Sequence, residues 1–344
     1  MNYRYLPNTN IKISSVCLGT MTFGEQNIEI EAHQQLDFAI SEGVNFIDTA
    51  EMYPIAARKE TLGFTEKYIG NWLAKRGKRD DLVIATKIAG PNRGMEYIRQ
   101  PLDFSKNSIN EAVELSLKNL QTDYIDLYQF HWPERVMNMF GKRGLQDVDH
   151  QWKDTVEEVL ETCQELIKAG KIRHIGVSNE SAWGVLRYLE LHKLKNLPKI
   201  STIQNPYSLL NRIYEIGLTE IGIRENIGLL AYSPLGFGVL TGKHLQGLQT
   251  NSRLGLFPQF TRYTSEQALK ATAMYQEIAT QHGMSLTTMA IAFVHQQKMV
   301  SSVIVGATSV AQLKENIEAS KITLSNEVLT AIEKVHEKFP NPSP

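Results

Sequence analysis

The chain has 344 residues, 42% of them hydrophobic and 21% charged, and its 36 basic and 37 acidic side chains leave a formal charge of −1. That balance gives no electrostatic reason to expect nucleic acid or an anionic membrane as partner, and the composition is globular rather than disordered or fibrous. Two cysteines in different apolar segments, Cys17 and Cys163, exclude a disulfide framework and suit a reducing compartment.

The chain opens with Tyr3–Ser14, in which Pro7, Asn8 and Asn10 separate two short β-rich runs. A hairpin is expected there, placed to plug one end of a larger structure. Eight further β-rich runs follow, at Ser15–Leu18, Val44–Asp48, Leu82–Lys87, Tyr124–His131, Ile172–Ser178, Ile200–Asn205, Gly228–Ser233 and Ser301–Val305. Most are near-continuously apolar, as parallel strands covered on both faces are. Amphipathic segments alternate with them, among them Glu29–Glu42, Glu66–Arg76, Ser108–Leu120, Thr155–Ala169 and Ser265–His282. Gly43 and Gly170 follow their helices as C-terminal caps do, and Thr155 with Glu158, and Ser309 with Gln312, have capping-box spacing. Glu134–Trp152 reads as a long connection after the fourth run. Ser325–Lys338 reads as an extra amphipathic helix, with a frayed Pro-rich tail at Pro340–Pro344.

Strands that each lead into a helix give a closed barrel or a doubly wound open sheet. An open dinucleotide-binding sheet carries a Gly-rich fingerprint after an early strand. The nearest glycine cluster here, Gly236-Phe237-Gly238, follows the seventh run, where barrels often bind phosphate. The expected fold is therefore α/β: a (β/α)8 TIM barrel with an N-terminal β-hairpin, a long loop after strand 4 and an extra C-terminal helix. It is read as a single domain over residues 1–344, with the hairpin at 1–14 and the tail at 339–344. No apolar run is long enough to cross a bilayer, and Met1–Thr20 lacks a signal-peptide pattern, so a cytoplasmic protein without a membrane partner is expected.

Polar residues recur where the runs end: Asp48, Lys87, His131, Ser178 with Asn179, Gln204 with Asn205, and Tyr232 with Ser233. In a barrel those ends share one mouth, where the active sites of this fold lie, and Tyr53 follows Asp48 on a loop at the same mouth. Asp48, Tyr53, Lys87 and His131 suit proton transfer. A phenol with a pKa of about 10 exchanges its proton poorly near neutrality, and a neighbouring ammonium favours the phenolate. Lys87 is placed to supply that charge, Asp48 to hold Lys87, and His131 to hydrogen-bond the same oxygen or a substrate carbonyl. Singly, each has a plain structural reading, as a cap, a snorkelling lysine, a satisfied core histidine and a loop aromatic; together at one mouth they favour chemistry. No His-Glu-x-x-His, paired Cys-x-x-Cys, P-loop or Gly-x-Ser-x-Gly pattern occurs, and the nine histidines are scattered, so no metal is expected.

From Leu18-Gly19-Thr20-Met21-Thr22-Phe23-Gly24 to Glu315-Asn316 the sequence resembles the aldo-keto reductases, and among them the subgroup that includes potassium-channel β-subunits. Phe46-Ile47-Asp48-Thr49-Ala50-Glu51-Met52-Tyr53, Ile175-Gly176-Val177-Ser178-Asn179, Ile203-Gln204-Asn205-Pro206-Tyr207-Ser208-Leu209 and Ala231-Tyr232-Ser233-Pro234-Leu235-Gly236 carry the likeness in order along the chain. The resemblance implies an NADP(H)-dependent oxidoreductase that reduces aldehydes and ketones, with Tyr53 as general acid tuned by Asp48, Lys87 and His131. It implies that Ser178, Asn179 and Gln204 hold the nicotinamide carboxamide, that Tyr232 stacks on the ring, and that Gly19, Thr20, Met21 and Asp48 also contact the cofactor. The loop with Ser233, Pro234, Leu235, Gly236, Gly238, Leu240 and Lys243 would wrap the pyrophosphate, with Arg253 over a phosphate. Gly306, Thr308, Gln312, Glu315 and Asn316 would take the adenosine end. Many family members carry Arg or Lys where this chain has Gly306 and Gln312, which leaves Arg253 or Lys314 to meet a 2′-phosphate; Gln312 is equally explained as a helix cap. The expected substrate is a small carbonyl compound, in a pocket whose Trp132, Met137, Met139 and Phe140 suit an aromatic or medium-chain molecule. A nucleotide-binding, redox-sensing regulator of a protein partner is the alternative the same family offers.

Overall fold

A computed structural model describes every residue except Arg143, Gln146, Asp147 and His150, so that this part of the expected Glu134–Trp152 connection lies outside the described residues. The N-terminal hairpin pairs β1 (Tyr3–Tyr5) with β2 (Lys12–Ser14), Tyr3 opposite Ser14. Eight parallel strands then close a barrel in chain order: β3 (Val16–Gly19), β4 (Phe46–Asp48), β5 (Val83–Ile88), β6 (Ile125–Phe130), β7 (Ile172–Ser178), β8 (Ile200–Pro206), β9 (Gly228–Tyr232) and β10 (Val300–Val305), which pairs back to β3. Around them run α1 (Glu29–Ser41), α2 (Phe64–Arg76), α3 (Lys106–Leu120), α4 (Val156–Lys168), α5 (Ala182–Lys195) and α6 (Tyr214–Arg224). The one-turn α7 (Arg253–Leu256), α8 (Glu266–Gln281) and α9 (Leu286–His295) lie between β9 and β10, and α10 (Val310–Ala319) and α11 (Asn326–Lys338) follow.

Alternation along the strands decides what lies inside. Ile84 and Ile88 of β5 and Tyr128 and Phe130 of β6 point outward into the core shared with the helices. Cys17, Phe46, Val83, Ala85, Leu127 and Leu230 fill the interior. One layer nearer the strand C-termini, the same inward positions are Asp48, Lys87 and Gln129, so the apolar filling gives way to polar side chains at one mouth. The hairpin plugs the other end: Leu6 and Ile13 are fully buried against the interior cluster, and Asn8 Nδ2 donates to Asn226 O, just ahead of β9, at 2.6 Å.

Helix ends largely follow the local chemistry. Gly43 and Gly170 take φ of 86° and 76° just past their helices, and the hydroxyls of Ser105, Ser181, Ser265, Ser285 and Ser325 accept N–H groups at helix starts. Three expectations need correction. Thr155 does not cap α4: its backbone, at φ −101° and ψ 1°, lies outside the extended region that capping residues take, and its hydroxyl donates to Glu134 Oε2 at 2.6 Å. At Ser309–Gln312 only half the box forms: Ser309 Oγ accepts Gln312 N, while Gln312 Oε1 accepts Thr308 N at 3.0 Å. The tail is not frayed. Pro342 and Ser343 are buried, Ser343 N donates to Leu210 O at 3.0 Å, Asn341 Oδ1 accepts Arg212 N at 2.6 Å, and Arg262 Nε donates to Pro344 O at 2.9 Å. Proline-rich sequence rules out helix and sheet but not docking by side-chain and carbonyl contacts, and that is how these residues are held.

Candidate active site

Asp48 and Lys87 stand on neighbouring strands, both buried, and Lys87 Nζ donates to Asp48 Oδ2 at 2.6 Å and to Thr49 O at 2.7 Å. The other carboxylate oxygen accepts from Gln129 Nε2 at 3.1 Å and Gln204 Nε2 at 2.8 Å. A buried ion pair is costly unless its remaining lone pairs and protons are satisfied; here three partners, from β6, β8 and the turn after β4, do so. Tyr53 stands above: Lys87 Nζ is 5.1 Å from its ring centroid, and the His131 ring meets it edge-on at 5.6 Å. The loop bearing Tyr53 is tied to the next one by Glu51, which accepts Ala89 N at 2.7 Å and Arg99 Nη2 at 2.6 Å in a buried pair. The four residues expected to converge are therefore brought together.

Burial and charge compete on this cluster. Burial pushes the Tyr53 phenol up and outweighs the Lys87 ammonium, which pulls it down by charge and hydrogen bonding; the net direction is up, against the expectation that the ammonium would prevail. Burial works to lower Lys87, but Asp48 and Tyr53 outweigh it and leave the ammonium favoured. His131 falls well below the ordinary histidine value through burial, with Lys87 and Arg93 adding to it, so the imidazole is neutral at pH 7. Its Nδ1 is buried without a partner among the described residues. The cluster thus presents a protonated phenol, a fixed cation beneath it and a neutral imidazole beside it.

Around the rim, Tyr232 OH donates to Asn179 Oδ1 at 2.6 Å, Asn179 Nδ2 to His131 O at 2.8 Å, and Ser178 Oγ to Gln204 O at 2.8 Å. Burial pushes the Tyr232 phenol up to about 12. Thr20 Oγ1 donates to Asp48 O at 2.8 Å, which sets Gly19–Met21 beside the cluster. After β9 the chain turns through Ser233, Gly236, Phe237 and Gly238, at φ of 54°, 52°, 55° and 92°. At φ 92° Gly238 takes a backbone conformation that residues with a Cβ rarely adopt, and this brings the loop against the Lys243 side chain. Pro234, Gly236 and Leu240 are buried in that loop, and Leu235 and Phe237 pack on the core.

Two cations face this loop without an acidic partner among the described residues: Lys243, and Arg253, whose Nη1 donates to Met21 Sδ at 3.8 Å while its Nε stays buried and unpaired. Burial lowers Arg253 to about 10, and burial with Arg253 lowers Lys243. An orphaned guanidinium beside a glycine cradle fits an anion, as the phosphates of a dinucleotide would supply. At the expected adenosine end, Asn316 Nδ2 donates to Gly306 O at 3.3 Å, Asn27 Nδ2 to Thr308 O at 2.9 Å, and Ser285 Oγ to Glu315 Oε1 at 3.0 Å. Lys314 lies 4.0 Å from Glu318 on the exposed face of α10.

Three residues escaped the sequence reading. Gln129 sits in an apolar run and gains meaning only once β6 pairs with β5, setting it opposite Lys87. Arg262, from the irregular stretch before α8, holds Tyr232 OH at 3.4 Å. Arg93 stacks on aromatic rings at the rim. Only a local surplus of unpaired arginines near the mouth signals the last two. Among the described residues no group of three or more metal-ligating side chains occurs, and no helix is long and apolar enough to cross a membrane.

The comparisons agree with this geometry. Residues 15–337 match the Aldo/keto reductase family. The chain is 51% identical to Protein tas of Escherichia coli over the full length of both, and 31% identical to oxidoreductase YrpG of Bacillus subtilis over 99% of this chain and 97% of that one. It is 35% identical to an aldo-keto reductase of Babesia bovis over 76% of this chain and 98% of the other. With the barrel, the buried tetrad and these likenesses in hand, the chain belongs to the aldo/keto reductase family and is an oxidoreductase.

Proposed function

We propose that the protein reduces the carbonyl group of aldehydes or ketones to alcohols with NADPH, Tyr53 giving the proton. The observation that carries this is a buried phenol, protonated at neutral pH, set over an ammonium that is itself locked between Asp48 and Thr49 O. The carbonyl oxygen accepts a hydrogen bond from Tyr53 and takes its proton. Lys87 stabilises the phenolate left behind, and Asp48, held by Gln129 and Gln204, fixes Lys87 in line. Neutral His131 donates to the same oxygen without repelling Lys87.

NADPH, the nucleotide the family generally uses, supplies the hydride when bound. Tyr232, with its hydroxyl pinned to Asn179, offers the flat wall for the nicotinamide ring, and Ser178, Asn179 and Gln204 the polar groups for its carboxamide. The Ser233–Lys243 loop and Arg253 take the pyrophosphate: Arg253 Nη1 donates to Met21 Sδ beside the cluster, which favours the reacting end over the adenosine end. Gly306, Thr308, Gln312, Glu315 and Asn316 line the adenosine end, on the same resemblance. A cytoplasmic location suits this cofactor.

The test is Tyr53→Phe. Wild-type protein is expected to oxidise NADPH in the presence of a small aldehyde, and the variant to lose about 10²–10⁴-fold in kcat, while NADPH binding by fluorescence stays within threefold. Turnover retained in Tyr53→Phe removes the phenol from its role.

A further inference from the structure

Arg93 stands at the apex of a turn with left-handed residues on both sides, Asn92 at φ 66° and Gly94 at φ 69°. The turn is fastened to the far wall of the mouth. Trp132 Nε1 donates to Pro91 O at 2.9 Å, Asn92 Nδ2 donates to Glu134 O at 3.2 Å, and a Cβ at Gly90 would meet Trp132 O at 2.5 Å. So held, the guanidinium carbon lies 4.2 Å from the Phe140 ring centroid and 5.7 Å from that of Trp132. The Trp132 ring lies 5.0 Å from His131, and His131 5.6 Å from Tyr53.

Stacking occupies the faces of a guanidinium and leaves its in-plane N–H donors free. Among the described residues Arg93 has no ion pair or hydrogen bond, and four acids near the mouth are engaged elsewhere. Glu51 is paired with Arg99, Glu134 accepts from Phe104 N and Thr155, Glu180 is paired with Arg135, and Glu25 with Arg58. Arg262 lies against Gly141, next to Phe140, and its donors go to Tyr232 OH and Pro344 O. Ala50, Met52, Leu102 and Trp132, with Phe140 packed against them, form an apolar cluster around Tyr53.

We propose that the carbonyl substrate is an anion, carrying at the end remote from its aldehyde or ketone a carboxylate or phosphate monoester that docks on the in-plane donors of Arg93. This rests on the reductase reading and adds its substrate class. A planar two-oxygen group matches the guanidinium fork, the apolar stretch covers the body of the molecule, and the carbonyl reaches Tyr53. The charge of Arg93 is felt at His131 and Tyr232, which sets it within electrostatic reach of the reacting end.

The experiment compares 4-formylbenzoate, 4-formylphenyl phosphate and methyl 4-formylbenzoate in wild type, Arg93→Met and Arg93→Lys. It reads NADPH oxidation, and separately calorimetric binding to protein saturated with NADP⁺. One or both anions are expected to beat the ester by about 10–100-fold in kcat/KM, mainly through KM, as a charged hydrogen bond is worth. Arg93→Met is expected to erase most of that ratio and Arg93→Lys to keep part of it; which anion leads names the group. An ester handled as well as both anions, or a preference untouched by Arg93→Met, overturns the proposal. Absence of turnover with all three compounds counts against the reductase reading instead, and the calorimetric preference then decides the anion site by itself.

Discussion

Replacing Lys87 by methionine separates what the buried ion pair does for folding from what it does for chemistry. Lys87 is fully buried and its partner Asp48 nearly so. Removing one member of such a pair leaves the other charged and uncompensated, at about 3–5 kcal/mol. Asp48 keeps its bonds from Gln129 and Gln204 at 3.1 and 2.8 Å, which argues for the lower end. For 344 residues the unfolding entropy is about 0.7 kcal/mol per kelvin, so a loss of about 3 kcal/mol lowers Tm by about 4 °C. Asp48→Asn strands the ammonium instead and is expected to cost a similar amount. The double variant leaves no unpaired charge and should recover at least about 2 kcal/mol relative to the sum of the single effects. Calorimetric unfolding of the four proteins closes the cycle. NADPH oxidation in the same set is expected to be lost in every variant, since folding recovers without the cation that Tyr53 needs. Additive stability losses would refute the pairing energetics; turnover restored in the double variant would refute the role of Lys87.

The pH profile follows from Tyr53 and His131. The acid must be protonated, its pKa lies above 10 and that of His131 well below 6.5, so kcat/KM for reduction should be flat between those values and fall only above the upper one, while alcohol oxidation should rise with pH; reduction that halves between pH 7 and 8 contradicts this. Arg253→Met should raise the Kd of NADPH and of NADH by a similar factor, about 10-fold or more, because the pyrophosphate is common to both, and titration by fluorescence would expose a loss confined to NADPH as a 2′-phosphate contact instead. Ending the chain after Phe339 removes the contacts of Asn341, Ser343 and Pro344. At about 0.5–1.5 kcal/mol per hydrogen bond it should lower stability by about 2–4 kcal/mol in urea unfolding and raise KM by freeing Arg262 beside Tyr232; unchanged stability would mean the tail only rests on the surface.

The barrel was legible because its determinants are local and repeated. Eight apolar runs, each leading into an amphipathic segment, can be read one at a time, and the inward positions of β5 read Val83, Ala85, Lys87 without knowledge of any other strand. Asp48, Lys87 and His131 were legible for the same reason: a polar residue ending an apolar run has few places to go except the mouth. What the sequence hid depends on pairing between distant segments. Gln129 is an unexceptional residue until strand register sets it beside Lys87, and Thr155 has capping spacing but not the extended backbone a cap takes, its hydroxyl being tied to Glu134 from 21 positions away. The tail looked free because its anchors, Arg212, Leu210 and Arg262, stand at least 82 positions away.

The contest on Tyr53 sets the direction in which the site works best. An ammonium alone beside a phenol would make a better base than acid, and would favour drawing a proton from an alcohol. Burial reverses that balance, because an anion at Tyr53 loses water that the single cation does not replace. The phenol therefore keeps its proton until an oxygen of rising basicity meets it, and a carbonyl oxygen becomes such an acceptor only as its carbon is reduced. Lys87 then acts where it is needed, on the phenolate of the product state, and its two fixed acceptors, Asp48 Oδ2 and Thr49 O, mean that no reorganisation is required at that moment. A neutral His131 completes the arrangement, since an imidazolium beside Lys87 would set two cations against each other in a site with one carboxylate.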